Sequence, residues 1–138
     1  MSVPPPYTPP YSLSKVLGIK PGHTVILQNV PASMIIKLGS EVKQAHIQQT
    51  PGTDADILVC FATNKQALTD SFESLKKQIA THGALWIVWP KILADIKTDL
   101  KETVVRDIAF RQNMVDVGNC EIEHQYSALK FVYRMKDR

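Results

Sequence analysis

Residues 57–89 read ILVCFATNKQALTDSFESLKKQIATHGALWIVW, and their alternation of types decides the fold. Ile57–Phe61 and Leu85–Trp89 are short, unbroken apolar runs rich in β-branched and aromatic side chains, the pattern of strands buried on both faces. Between them Asn64 is placed to cap a helix whose Leu68, Phe72, Leu75 and Ile79 fall on one face. Gly83 reads as the stop of that helix and His82 as a cation at its carboxyl end. Pro90 halts the second strand. A buried strand, a crossover helix and a second buried strand make a parallel βαβ unit.

Upstream the same alternation continues. Ser12 reads as the cap of a short helix through Leu17, stopped by Gly18. His23–Asn29 is a buried strand entered through Pro21-Gly22 and left at Pro31. Ala32–Leu38 reads as a short helix stopped by Gly39, and Val42–Ile47 as a second strand near an edge. Downstream, Asp99 with Glu102 forms a capping box for a helix presenting Leu100, Val104 and Ile108 inward and ending near Asn113. Val115–Glu123 and Leu129–Tyr133 are strands joined by His124–Ser127, short enough for an antiparallel hairpin. The expected fold is a doubly wound, mainly parallel sheet of about six strands with a C-terminal antiparallel hairpin, in the order 2-1-3-4-6-5. One link strains this order. Gln48–Ala55 must carry the chain back across the first strand within a reach of roughly 28 Å.

A chain of 138 residues, 44% hydrophobic and 21% charged, can bury one core without staples, so residues 12–138 are expected to form one domain. Residues 1–10 hold five of the nine prolines and are expected to form a tail. Within it Pro4-Pro5-Pro6-Tyr7 fits the proline-proline-any-tyrosine pattern read by WW domains, which opens an interaction through the tail; a solvated tail is the plainer reading. The net charge of +3 is spread along the chain rather than gathered in a stripe, which speaks against nucleic acid. Cys60 and Cys120 lie in apolar runs and read as reduced, buried thiols of a cytoplasmic protein. The start carries no signal-peptide pattern, and Ala84–Trp89 is too short to span a bilayer.

Gly18-Ile19-Lys20-Pro21-Gly22, Leu85–Lys91 (LWIVWPK), Thr98-Asp99-Leu100, Val104-Val105-Arg106, Val115-Asp116-Val117 and Ser127–Val132 (SALKFV) together resemble the bacterial family catalogued as domain of unknown function 3052. Tyr126 and Ala128 stand where that family carries tryptophan and glycine. The resemblance covers roughly residues 13–134 and implies a bacterial, intracellular protein without importing an activity. The helix–strand–hairpin ending resembles that of class I methyltransferase-like domains.

That second resemblance implies a test. Cofactor-binding members place a glycine-rich turn after the first strand and a carboxylate at the end of the second. Here the turn is Gln28-Asn29-Val30-Pro31-Ala32-Ser33, without glycine, and Gln48-Gln49 follow the second strand. The expectation is therefore a non-catalytic or degenerate methyltransferase-like domain that binds an anionic small ligand or a protein partner. An S-adenosylmethionine-dependent methyltransferase with an atypical cofactor turn is the alternative. Doubly wound sheets bind ligands outside the strand carboxyl ends, so Asn29, Ser33, Thr63 and Asn64 should rim one crevice. The helix starting at Asn64 would supply fixed N–H donors, Lys91 a mobile charge and Trp89 an apolar wall. Ser12-Leu13-Ser14-Lys15 matches the serine-any-any-lysine pattern of acylating enzymes without its companion motifs, and Ser12 is better explained as a cap. The four histidines lie in separate elements with no ligand spacing, and no metal site is expected.

Overall fold

The computed structural model describes residues 12–91 and 96–138. The proline-rich tail, with its WW-type pattern, lies outside the described residues. Six strands form one sheet: β1 (Thr24–Gln28), β2 (His46–Gln48), β3 (Ala55–Phe61), β4 (Ile79–Pro90), β5 (Met114–Ile122) and β6 (Tyr126–Tyr133), in the order β2-β1-β3-β4-β6-β5. The first four in that order run parallel, while β6 is antiparallel to both β4 and β5. This is the sheet order expected from the sequence.

Helices cover both faces. α1 (Leu13–Leu17) and α2 (Ala32–Glu41) pack over Val25, Leu27, Val59, Trp86 and Val88. α3 (Lys65–Gln78) and α4 (Glu102–Arg111) pack over Ile26, Leu58, Cys60, Leu85, Ile87 and Trp89. Strand residues alternate between these two cores because successive side chains point to opposite faces, which separates Trp86 from Trp89. Leu68, Phe72 and Leu75 of α3 are buried as their spacing predicts, each worth about 1.5–3 kcal/mol of apolar burial. Trp86 also donates from Nε1 to the Leu17 carbonyl at 3.0 Å, tying α1 to the centre of the sheet.

Several boundaries differ from the sequence reading. The second strand is His46–Gln48 rather than Val42–Ile47, because α2 runs on past Gly39 to Glu41 and Val42 closes it. The shorter strand also makes the strained link feasible. Gln48 lies level with Ile26, and Ile57 with Val25. The chain therefore steps back about three residues and across two strand spacings, a span of about 14 Å. A Cβ at Gly52 in that link would meet only side-chain tips, Gln48 Nε2 at 2.8 Å and Ile26 Cδ1 at 3.4 Å, which can shift aside.

Gly83 does not stop α3. The helix ends at Gln78, and Ile79–Gly83 already belongs to β4, pairing from Ala55↔Ile79 to Ile57↔Ala84 across an irregularity. His82 is thus an exposed strand residue, not a helix-end cation. The hairpin is longer than its apolar core suggests: Ile122 pairs Tyr126, leaving Glu123, His124 and Gln125 as the turn. Among the described residues no helix is long and apolar enough to cross a membrane.

Candidate functional site

At the carboxyl ends of β1 and β3, where the chain winds to opposite sides of the sheet, lies a crevice of about 330 Å³. Open doubly wound sheets form such a crevice because the loops leaving neighbouring strands diverge at the switch point. Gln28, Asn29 and Pro31 supply one wall, Phe61–Asn64 with Ala67, Leu68 and Ser71 the other. Pro90, Ile96 and Tyr126 close the side towards β4 and the hairpin, with Cys60 also among the lining residues. Phe61 and Tyr126 meet edge to face, their ring centroids 5.0 Å apart.

Of the residues picked out in the sequence, Asn29, Thr63 and Asn64 come together in this crevice. Ser33 lies exposed in the first turn of α2, beyond the lining residues. Lys91 and Trp89 do not line it. Lys91 is ion-paired with Glu121 of β5, and its backbone N–H holds the Gln125 carbonyl at 2.9 Å. Trp89 is buried in the core beneath α3 and α4, in the same cluster as the lining residues Cys60 and Leu68, but does not itself reach the crevice.

The start of α3 differs from expectation as well. Its first amides are occupied: the Lys65 N–H donates to Asp99 Oδ1 at 2.7 Å, and the Ala67 N–H to Asn64 Oδ1 at 2.8 Å. The sequence pattern makes Asp99 the cap of α4, yet α4 begins at Glu102 behind Lys101 with no side-chain cap. The carboxylate caps α3 instead. Thr98 reinforces the link by donating from Oγ1 to the Thr63 carbonyl at 2.8 Å. Residues 96–100 thereby form a strap fastened to the lip of the crevice.

Across the crevice, Asn29 adopts a left-handed backbone with φ 59°. The turn after β1 thus has the conformation usually supplied by glycine, and Asn is among the side chains that tolerate it. α2 follows Pro31 at its cap position, without a side-chain cap. Gln48, at the end of β2, turns back to donate from Nε2 to the Thr50 carbonyl at 2.9 Å. Burial pushes the Cys60 thiol up to about 12, so it stays protonated and unreactive at neutral pH. Among the described residues no group of three or more His, Cys, Asp or Glu is arranged to hold a metal.

Sequence reasoning missed Gln28, Phe61, Ser71, Ile96 and Tyr126. Phe61 and Tyr126 carried the available signal, an aromatic at the carboxyl end of one strand and another at the head of a hairpin strand. Their meeting depends on β6 inserting beside β4, which pairs Pro90 with Tyr126.

No protein-family model matches the chain, and no curated protein matches it in sequence. Solved structures do resemble it. Magnesium protoporphyrin IX methyltransferase from Synechocystis PCC 6803 with bound SAH aligns with a TM-score of 0.59 at 11% identity, over 88% of this chain and 78% of that one. The pyocyanin biosynthetic protein PhzM aligns with a TM-score of 0.69 at 6% identity, over 89% of this chain. The present chain spans only 53% of that protein. A SAM-dependent methyltransferase from Aquifex aeolicus gives a TM-score of 0.54 at 13% identity, over 85% of each chain. At such identities the likeness concerns the fold, and function has to be argued from the site. The chain has the mixed α/β fold of the class I, S-adenosylmethionine-dependent methyltransferases.

Proposed function

We propose that this chain is a methyltransferase-like domain without methyl-transfer chemistry, which binds a small anionic ligand in the switch-point crevice. One observation carries the reading: the crevice is intact while the cofactor's ribose position is not. Where cofactor-binding relatives of this fold place a carboxylate, Gln48 ends β2 and is folded onto the Thr50 carbonyl. The described lining has amides, hydroxyls and aromatic rings but no carboxylate, histidine or lysine. That lining therefore lacks the commonest general bases. The rim favours negative charge, with the uncapped start of α2 on one side and exposed lysines beyond the start of α3 on the other.

A thermal-shift comparison tests this. Nucleotides and other anions with a flat apolar body should raise the melting temperature, since a ligand bound only by the native state stabilises it by mass action. S-adenosylmethionine and its demethylated product should leave it unchanged. The second reading, an S-adenosylmethionine-dependent methyltransferase, is favoured by the left-handed Asn29, which keeps the backbone of the cofactor turn without its glycine. A rise with S-adenosylmethionine would transfer the assignment to that reading.

The resemblance to domain of unknown function 3052, a cytoplasmic bacterial setting and a single domain over 12–138 belong to the same proposal. A protein partner reached through residues 1–10 is a separate one. It is tested by pull-downs with and without that segment.

A further inference from the structure

Several basic side chains on the elements that flank the crevice are neutralised. Lys91 pairs with Glu121, Lys77 with Glu73, Arg106 with Glu102 and Asp116, and Arg111 with Asp107. Lys65, Lys97 and Lys101 are the exception on the strap side. All three are exposed, and none forms an ion pair among the described residues. Their closeness follows from the strap. Lys65 is joined through its own N–H to the Asp99 carboxylate at 2.7 Å. Lys97 and Lys101 lie two residues either side of Asp99, within about 7 Å of it along the chain. Three exposed lysines thus belong to the backbone around one carboxylate that is already engaged with the start of α3. Among Lys65 and residues 96–101, three lysines stand against one carboxylate.

This lip adjoins the crevice through Thr63, Asn64 and Ile96, which line it. Inside, the Gln28 and Asn29 side-chain amides have no hydrogen-bond partner among the described residues. Each presents a donor and an acceptor side by side, the complement of a heterocycle edge carrying both. Phe61, Tyr126, Pro31 and Ile96 offer flat or apolar surfaces to the faces of a ring. A volume of about 330 Å³ suits a small ring system with an attached sugar.

We infer that the crevice and the lysine lip together bind a nucleotide, the base held by Gln28, Asn29 and the aromatic pair, the phosphate by Lys65, Lys97 and Lys101. This rests on the crevice reading above and names its ligand class. The shared chemistry is a base joined to a phosphate, either as a free nucleotide or as the end of a single strand.

The test uses the full chain and titration calorimetry with adenosine, guanosine, uridine, AMP, GMP, UMP, inorganic tripolyphosphate and a single-stranded hexanucleotide, at low and high salt. At least one nucleotide should bind about tenfold or more tighter than its nucleoside, with an advantage that shrinks as salt rises. A triple variant Lys65→Gln, Lys97→Gln, Lys101→Gln should melt like the parent and bind nucleotide only as tightly as nucleoside. Ala67→Phe, which fills the crevice from an exposed helix position, should remove nucleoside and nucleotide binding together. A hexanucleotide binding much tighter than every mononucleotide would identify the strand as the source, and equal affinities the free nucleotide. Nucleoside binding to which phosphate adds nothing overturns the lip while leaving the crevice reading standing. Tripolyphosphate binding as well as nucleotide, unaffected by Ala67→Phe, overturns both. No binding by any of these probes overturns the nucleotide inference outright.

Discussion

Glu41 shows how a single side chain can organise a terminus. It sits at the end of α2, and its carboxylate accepts from the Ser14 N–H at 2.7 Å, the Leu13 N–H at 3.4 Å and the Ser12 hydroxyl at 3.3 Å. These are the orphan donors at the start of α1, where negative charge is favoured. Burial works to raise the Glu41 pKa, but hydrogen bonds from Ser14, Leu13 and Ser12 outweigh it and hold the group below its ordinary value. A depressed folded-state pKa gives stability that is present above the unfolded-state value and lost as pH falls through the folded one. Glu41→Gln should therefore lower the melting temperature at pH 7 and flatten its decline between about pH 5 and pH 3. Parallel melting curves for variant and parent over that range would dismiss the role. The two thiols differ at the same scale. Cys60 is buried, whereas Cys120, read from sequence as buried, is half-exposed because it lies on the edge strand β5. Burial raises the pKa of its thiol as well. An aqueous disulfide reagent should label Cys120 first and leave Cys60 untouched until the protein unfolds. Faster labelling of Cys60 would contradict the packing of β3.

Among the elements, the central strands were legible and their ends were not. Ile57–Phe61 and Leu85–Trp89 announce themselves because burial on both faces demands continuous apolar residues. The beginning of β4 gives no such sign. Thr81-His82-Gly83 carries turn chemistry, yet the pairs on either side of it, Ala55↔Ile79 and Ile57↔Ala84, hold it in the sheet as an irregularity. Gly83 is needed there for space, not for a positive φ. A Cβ at that position would meet the backbone oxygens of Ala55 at 2.7 Å, Asp56 at 3.0 Å and Ala80 at 3.1 Å. Backbone cannot swing aside as a side chain can, so Gly83→Ala should cost about 1–3 kcal/mol in denaturant unfolding. A neutral result would place the glycine at an ordinary helix stop. The hairpin offers the opposite case. Glu123 and His124 both hold positive φ, 52° and 62°, a conformation that is uncommon for Glu and easiest for Gly. Replacing the pair with Asn-Gly should raise stability by about 1 kcal/mol, since that dipeptide favours the conformation already present. A loss of stability would show that their side chains hold the turn.

For the whole molecule, the location of the crevice was legible because strand order alone predicts a switch point between β1 and β3. Its chemistry was not, because Lys91, Asp99 and Trp89 take their roles from partners distant in sequence: Glu121, the Lys65 N–H and the core beneath α3 and α4. The same distribution of contacts sets how the molecule opens. β3 and β4 are paired on both sides, while β2 is three residues long and paired only to β1, and β5 only to β6. Local openings start where few buried contacts oppose them. The Leu58 amide should then outlast the Ile47 amide in native-state hydrogen exchange. The strap should open separately from both. Its fastening is the Asp99 carboxylate on the Lys65 N–H, so Asp99→Ala removes that acceptor and should accelerate exchange at Lys65 while Leu58 keeps its rate. If exchange quickened equally at Lys65 and Leu58, the carboxylate would be supporting the whole fold, and residues 96–100 could not act as an independent lip for the crevice.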